Sequence, residues 1–285
     1  MNRAPAGTSA RTTVRGLGLA ATVSHDVAEA SARLAQAGGY HSFWLNNPPG
    51  ANALHALASV ASVQAGLWLG VGVIPLSHEP PEEIIRKLTE EKIPLNRFYL
   101  GLGSGGPVGG VERVRSAIGA IRRQFDAFIV VAALGPRMCR LAGAQADGVL
   151  LNWLTTDMAQ KSMEWIREGA EKSERPVPRV MAYLRASLGP EAAARLEQEA
   201  NRYGSYPTYA PHFKRFGVDA RQTAIAAQSS QDLQRHLRAW NGVVDEIVIR
   251  PITAQDTIQD LEPFIQAAAP LKPARQGERP WPELD

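Results

Sequence analysis

What most constrains this chain is an alternation that runs its whole length. Short apolar runs fall at 12–22, 42–47, 67–76, 97–103, 128–134, 148–154, 179–188 and 245–252. Longer amphipathic segments separate them, over 26–38, 52–64, from Pro80 onward, 108–125, 136–144 and 157–174. A longer helical region then runs to about Trp240, and a last helix covers 256–268. Several of these segments open on proline or acid, such as Pro80-Pro81-Glu82-Glu83, which suits the free N–H groups of a helix start.

Near-continuous apolar strands are what a parallel sheet covered on both sides requires. Eight strand-then-helix units in strict order predict a closed (β/α)8 TIM barrel, with a doubly wound open sheet as the alternative. The 285 residues are enough for one such barrel. No segment has the length or composition of an interdomain linker. Residues 14–270 therefore read as a single domain between a flexible basic N-terminal tail (1–13) and a C-terminal tail (271–285).

Charge narrows the function classes. There are 31 Lys+Arg against 28 Asp+Glu, a net charge of +3. Arg3, Arg11 and Arg15 all precede the first acid, Asp26. Assigning the excess to this N-terminal stretch leaves a neutral body, without the basic face of a nucleic-acid-binding domain. Cys139 is the only cysteine, which excludes a disulfide within the chain and argues against a thiolate metal cluster. No run of 18 apolar residues predicts a membrane span, and the N-terminus lacks a secretory apolar core, so the expected location is cytoplasmic.

In a barrel the ligand site lies at the C-terminal ends of the strands. The segments there are His25-Asp26, Asn46-Asn47, Pro75 to His78, Gly103 to Gly106, Leu134 to Met138, Asn152-Trp153, Arg185 to Leu188 and Arg250-Pro251. They carry few ionisable groups and no cluster of carboxylates. No metal-ligand spacing, nucleophile elbow or hydrolytic triad is present, so no metal is expected. Residues 101–106 satisfy G-x-G-x-x-G, yet the next strand ends without the acid that would hold a ribose. They read instead as a glycine-rich strand end that lets a flat ligand approach the backbone. Leu134 to Met138 reads as a helix N-terminus able to bind phosphate, with an ordinary βα loop as the plain reading. His25 and His78 read first as capping or surface residues. Tyr203, Tyr206 and Tyr209 read as loop packing, with a lid as the alternative.

Four segments carry a family resemblance: LWLGVGVIPLSHEPPEE (67–83), RFYLGLGSG (97–105), VVAALGPRMCRLAGAQADGVLLNWLT (130–155) and DEIVIRPI (245–252). Together they resemble the luciferase-like monooxygenase superfamily of flavin- or deazaflavin-dependent barrels, and the third resembles the branch using coenzyme F420. The resemblance implies a non-prolyl cis peptide at Gly72–Val73 behind the flavin ring. It places Ala133, Leu134, Gly135, Pro136 and Arg137 near the cofactor's phosphate tail, with Gly103, Ser104 and Gly105 beside them. His25, Asn46 and Asn152 are the polar candidates on the substrate side. The implied function is hydride transfer between F420 and a small organic substrate, in a homodimer. The alternatives are an FMN-dependent reductase or monooxygenase, and a non-catalytic flavin-binding or structural paralogue. Three features depart from the family. The connection between strands four and five is shortened, Asn46-Asn47 stand where sugar-phosphate dehydrogenases keep a histidine, and Gly105-Gly106 replace their glutamate.

Overall fold

A computed structural model describes residues 13–106 and 108–271. Apart from Thr13 and Leu271, the two expected tails lie outside the described residues. Among these, β1 (Val14–Ala20), β2 (Ser42–Asn46), β3 (Trp68–Pro75), β4 (Phe98–Gly103), β5 (Phe128–Ala133), β6 (Gly148–Asn152) and β7 (Arg179–Leu188) pair in parallel, each with the next. A short β8 (Ile225–Ala227) joins the far end of β7. The strand β9 (Glu246–Pro251) pairs with both β7 and β1 and closes an eight-stranded barrel. The alternating segments thus form a (β/α)8 barrel, not an open sheet.

The helices outside the barrel are α1 (His25–Ala37), α2 (Ala53–Val63), α3 (Pro81–Glu90), α4 (Gly110–Arg122), α5 (Pro136–Gln145), α6 (Thr156–Lys172), α7 (Pro190–Ser205), α8 (Ala210–Phe216), α9 (Ser230–Arg238) and α10 (Ile258–Ala267). Their starts follow local chemistry. Ser24, Asn52 and Thr155 cap α1, α2 and α6 with side-chain oxygens, and proline stands in the first turn of α3, α5 and α7. The long helical region before Trp240 resolves into α7, α8 and α9, with β8 between the last two. Gly217, at φ 65°, ends α8 in the left-handed conformation that glycine adopts without steric penalty.

Strand alternation sorts side chains into two cores. Phe43, Leu45, Val180, Ala182 and Leu184 face the helices. Trp44, Trp68, Tyr99, Val130, Leu150, Met181, Tyr183 and Val248 fill the barrel interior. Glycines opposite make room for this bulk: a Cβ on Gly70 would lie 2.4 Å from the Trp44 ring. At the N-terminal end of the barrel, Arg179 donates to Glu246 at 2.9 Å, both buried. Ser42 also donates to Glu246, and Trp44 Nε1 donates to Ser42 at 2.8 Å and to Glu246 at 3.2 Å. Burial would raise the Glu246 carboxyl, but Arg179, His41 and Ser42 outweigh it and hold it below its ordinary value.

Arg15 is a correction. The charge reading put it with the N-terminal excess, yet it lies in β1 and is buried. It donates to the carbonyls of Ala268 and Ala269 at 2.9 and 3.0 Å and to Gln234 at 2.9 Å. A cation there meets the exposed carbonyls that end α10, where the helix dipole favours positive charge. Thr13, counted in the tail, is also buried, and its hydroxyl donates to the Val244 carbonyl at 2.7 Å.

Candidate active site at the barrel mouth

The third strand breaks its pairing with β4 between Val71 and Ile74. The Gly72–Val73 peptide within that break is cis, at the position the family resemblance implies. Below it lies an aromatic floor. A Cβ on Gly72 would meet the Trp44 ring and Leu150 at 3.2 Å, so nothing larger than glycine fits without displacing them. The floor is rigid because the Trp44 indole is tied to Ser42 and Glu246.

The glycine-rich end of β4 does a different task from the one read in the sequence. A Cβ on Gly101 would lie 2.0 Å from the Val71 carbonyl oxygen, and one on Gly103 would lie 2.6 Å from Val73 Cγ2. These two glycines make room for the bulge of β3, so the bare face of Gly103 is covered by Val73. The loop beyond is laced in place. The Leu76 N–H donates to the Gly103 carbonyl at 2.8 Å, Arg113 donates to the Ser104 carbonyl at 2.7 Å, and Ser77 donates to the Gly105 carbonyl at 3.1 Å.

At the end of β5, Ala133 is buried and Leu134 to Pro136 are half-buried. Gly135 is the N-cap of α5 and offers no side chain to its free N–H groups. The first turn therefore presents unpaired donors, the polarity that attracts an anion. Exposed Arg137 is on that turn. Arg215, from α8, donates to the Leu134 carbonyl at 3.2 Å, and a Cβ on Gly135 would lie 3.3 Å from its guanidinium. The contribution of Arg215 was not legible in the sequence, because it comes from 80 residues away (215 − 135).

The ends of β6 and β7 are occupied by a packed polar cluster. Arg185 donates to Glu199 and to Asn152 Oδ1, each at 2.6 Å, and its guanidinium lies 4.1 Å from the Trp153 ring centre and 4.7 Å from that of Tyr203. Asn152 Nδ2 reaches the Tyr209 hydroxyl at 3.5 Å. Tyr203 packs on Tyr206 and Tyr209, with ring centres 5.2 and 5.0 Å away. His212 bridges the loops beneath, with Nδ1 2.8 Å from the Leu134 carbonyl and Nε2 2.7 Å from that of Trp153. Burial lowers its pKa, and the two carbonyls oppose that shift. The tyrosine segment is thus a packed cover over β5 and β6.

The three polar candidates separate. His25 is exposed on the first turn of α1, its ring 5.2 Å from that of His55 on α2, among the outer helices. Asn152 has both amide atoms engaged in the cover. Asn46 points its Oδ1 into a buried place with no partner. Its neighbour Asn47 is structural, donating to Glu79 at 2.6 Å and accepting from the Ala53 N–H at 3.0 Å. Tyr183 was missed. It is buried in the floor, and its hydroxyl has no protein partner. The signal available was phase: Arg179, Met181, Tyr183 and Arg185 alternate on β7 and so share one face. Among the described residues, no group of three His, Cys, Asp or Glu side chains is placed to hold a metal, and no helix is long and apolar enough to cross a membrane.

Comparison with known proteins agrees with this geometry. No curated protein sequence matches the chain. Among solved structures, the barrel is similar to a coenzyme F420-dependent tetrahydromethanopterin reductase from Methanopyrus kandleri, with 15% identity and a TM-score of 0.74 over 90% of this chain and 97% of that one. It is similar to an F420-dependent secondary alcohol dehydrogenase, with 12% identity and a TM-score of 0.71 over 90% of this chain and 99% of that one. An EDTA monooxygenase from Chelativorans sp. BNC1 gives 13% identity and 0.71, over 92% and 93%. The sequence model of the luciferase-like monooxygenases matches residues 117–256, from within α4 to past β9. The barrel, the bulged third strand and this match agree in making the chain similar to the luciferase-like monooxygenases over residues 117–256.

Proposed function

We propose that this chain is an oxidoreductase that transfers hydride between the deazaflavin F420 and a small organic substrate at the barrel mouth. The observation that carries the proposal is the uncapped start of α5, with Arg137 and Arg215 beside it, at the mouth that also holds the bulged third strand. Two F420-dependent enzymes among the similar folds support a deazaflavin as the cofactor. A Baeyer-Villiger monooxygenase solved in complex with FMN, also among the similar folds, keeps FMN as the second reading, since the same groups suit its phosphate.

The residues fit such a cofactor. A flat ring suits the Gly72–Val73 segment above Trp44 and Leu150, where a Cβ would intrude. The free N–H groups after Gly135, with Arg137 and Arg215, suit a phosphate. When bound, the cofactor supplies the hydride chemistry itself. The chain contributes position and a dry floor. Trp44, Leu150 and Tyr183 keep water from beneath the ring, and Asn46 offers a carbonyl acceptor toward the mouth. The substituted positions Asn46 and Gly105-Gly106 favour the non-catalytic alternative, because they remove the acid and base that related dehydrogenases use.

Titration of the purified protein with F420 and with FMN, followed by ring fluorescence, tests the proposal. Tight F420 binding is expected, with binding lost in Gly135→Asp, which puts a carboxylate at the helix start. Binding of neither cofactor refutes the oxidoreductase reading, and unchanged affinity in Gly135→Asp refutes the phosphate site. A homodimer in the cytoplasm is part of the same reading; light scattering giving a monomer mass would remove the dimer.

A further inference from the structure

Buried side-chain oxygens without a protein partner are few among the described residues; Ser187 Oγ lies at the end of β7, and two others share the β1–β2 side of the mouth: the Tyr183 hydroxyl and Asn46 Oδ1. Trp153 Nε1, also unpartnered, is enclosed by the packing of α7 and α8 and does not face this place. The setting of Tyr183 is built for it. Its ring crosses from β7 to β1, where a Cβ on Gly18 would lie 2.9 Å from the hydroxyl oxygen. Glycine at 18 therefore clears the position that the phenol occupies. In the β1–β2 register, Gly18 stands beside Trp44 and Ala20 beside Asn46. Asn46 is thus the next inward residue above the Trp44 floor. The two unpartnered oxygens belong to the same β1–β2 corner, next to the strand that carries the Gly72–Val73 bulge.

Their chemistry is complementary. Burial pushes the Tyr183 phenol up to about 12, with Arg250 and Arg185 drawing it partly back, so at neutral pH it is an uncharged donor. Asn46 Oδ1 is an acceptor. A buried polar atom left unpaired is destabilising, and retaining two in one corner is the pattern of groups reserved for a ligand. A donor beside an acceptor matches a carbonyl next to an N–H. Flavins and deazaflavins both carry that arrangement on the pyrimidinedione edge of the ring.

We propose that Tyr183 and Asn46 bind the polar edge of the cofactor ring, the Tyr183 hydroxyl donating to a ring carbonyl and Asn46 Oδ1 accepting from the adjacent ring N–H. This rests on the cofactor reading above. The pair fixes how the ring turns on its floor, and so which face and atom meet the substrate. Both are positioning residues that touch the cofactor.

The test uses Tyr183→Phe and Asn46→Leu, which keep the shape of the corner and remove the polar atoms. F420 and FMN are titrated separately into the wild type and both variants and followed by ring fluorescence. Thermal unfolding without cofactor is measured in parallel. Each variant should bind the wild type's cofactor more weakly by about 2- to 12-fold, the loss of one neutral hydrogen bond. The unliganded Tm of Tyr183→Phe should equal or exceed that of the wild type, because an unpaired hydroxyl has been removed. Equal affinity in all three proteins overturns the proposal and leaves the cofactor reading intact. A lower Tm in Tyr183→Phe also overturns it, by showing that the hydroxyl has a structural partner. If the wild type binds neither cofactor, both readings fall together.

Discussion

The position of the α5 start is set at its other face, by two glycines. A Cβ on Gly143 of α5 would lie 2.0 Å from the Ile166 carbonyl oxygen of α6. One on Gly169 of α6 would lie 2.1 Å from the Arg140 carbonyl oxygen of α5. The two helices are in reciprocal backbone contact, and backbone oxygens have no rotamer by which to withdraw. Gly143→Ala must push the helices apart by more than 1 Å to restore an ordinary contact of about 3.3 Å. Such overpacking costs about 3 kcal/mol, against about 1 kcal/mol gained from the better helix propensity of alanine. A net loss of about 2 kcal/mol corresponds to a Tm lower by roughly 4–8 °C in a chain of this size. Gly119→Ala on α4 is the control, since its Cβ would meet only the end of Arg123 at 3.7 Å. There the propensity gain stands alone, and stability should rise by about 0.5–1 kcal/mol. Urea and thermal unfolding of both variants read the two signs. A Gly143→Ala protein as stable as the wild type would refute the close-contact reasoning. If the cofactor proposal is right, Gly143→Ala also weakens cofactor binding, because it moves the helix whose first turn holds the phosphate.

Acid should destabilise the barrel in two stages. Burial depresses the His41 pKa to about 4, so the folded state binds its proton less readily than the unfolded chain does at about 6.5. Its contribution is complete above about pH 6.5 and is lost as pH falls toward 4, amounting to about 3 kcal/mol. The depressed Glu246 carboxyl adds a second loss below about pH 4.3, its unfolded value. Urea midpoints that stay flat between pH 7 and 4.5 would contradict this assignment. Arg15→Met removes the donor to the buried Ala268 carbonyl and leaves it unpaired, while Gln234 still donates to that of Ala269. It should lower stability by about 2–3 kcal/mol while leaving cofactor affinity unchanged, because Arg15 lies at the opposite end of β1 from the mouth.

The strands were legible because a parallel barrel buries both faces of each one, and runs such as Phe128 to Leu134 have no other use for so much apolar surface. The cis peptide position followed from family resemblance, since no periodicity separates Gly72–Val73 from any other glycine pair. What escaped the sequence were contacts between distant segments. Arg15 looked like a tail cation because its partners, Gln234 and the carbonyls of α10, lie more than 200 residues away. Gly101 and Gly103 looked like ligand-facing glycines because the side chain they accommodate, Val73, belongs to the neighbouring strand. Asn46 and Asn47 looked equivalent, and only the turn into α2 decides that Asn47 accepts from the Ala53 N–H at the start of that helix while Asn46 faces inward.

The shortened connection between β4 and β5 has a counterpart elsewhere in the chain. Beyond β4 there is α4 alone before β5, but between β7 and β9 the chain inserts α7, α8, β8 and α9. That segment reaches back to the mouth: Tyr209 to Asn152, His212 to the carbonyls of Leu134 and Trp153, and Arg215 to the start of α5. Cover over the β5–β6 side therefore comes from after β7. A short β4–β5 connection consequently carries no weight against catalysis on grounds of an uncovered site. The weight falls on proton transfer, where the histidine and glutamate of related enzymes are replaced. Asn152 and Arg185 are engaged in holding the cover, and His25 lies among the outer helices. Of the described polar side chains placed at the mouth, that leaves Tyr183 and Asn46 with unpaired oxygens at the corner beside the bulged strand, and Ser187 with one at the end of β7. Under the proposed hydride transfer, the titratable group at this corner is the Tyr183 phenol, since the Asn46 amide neither gives nor takes a proton, and a pH profile of Tyr183→Phe against the wild type tests that role.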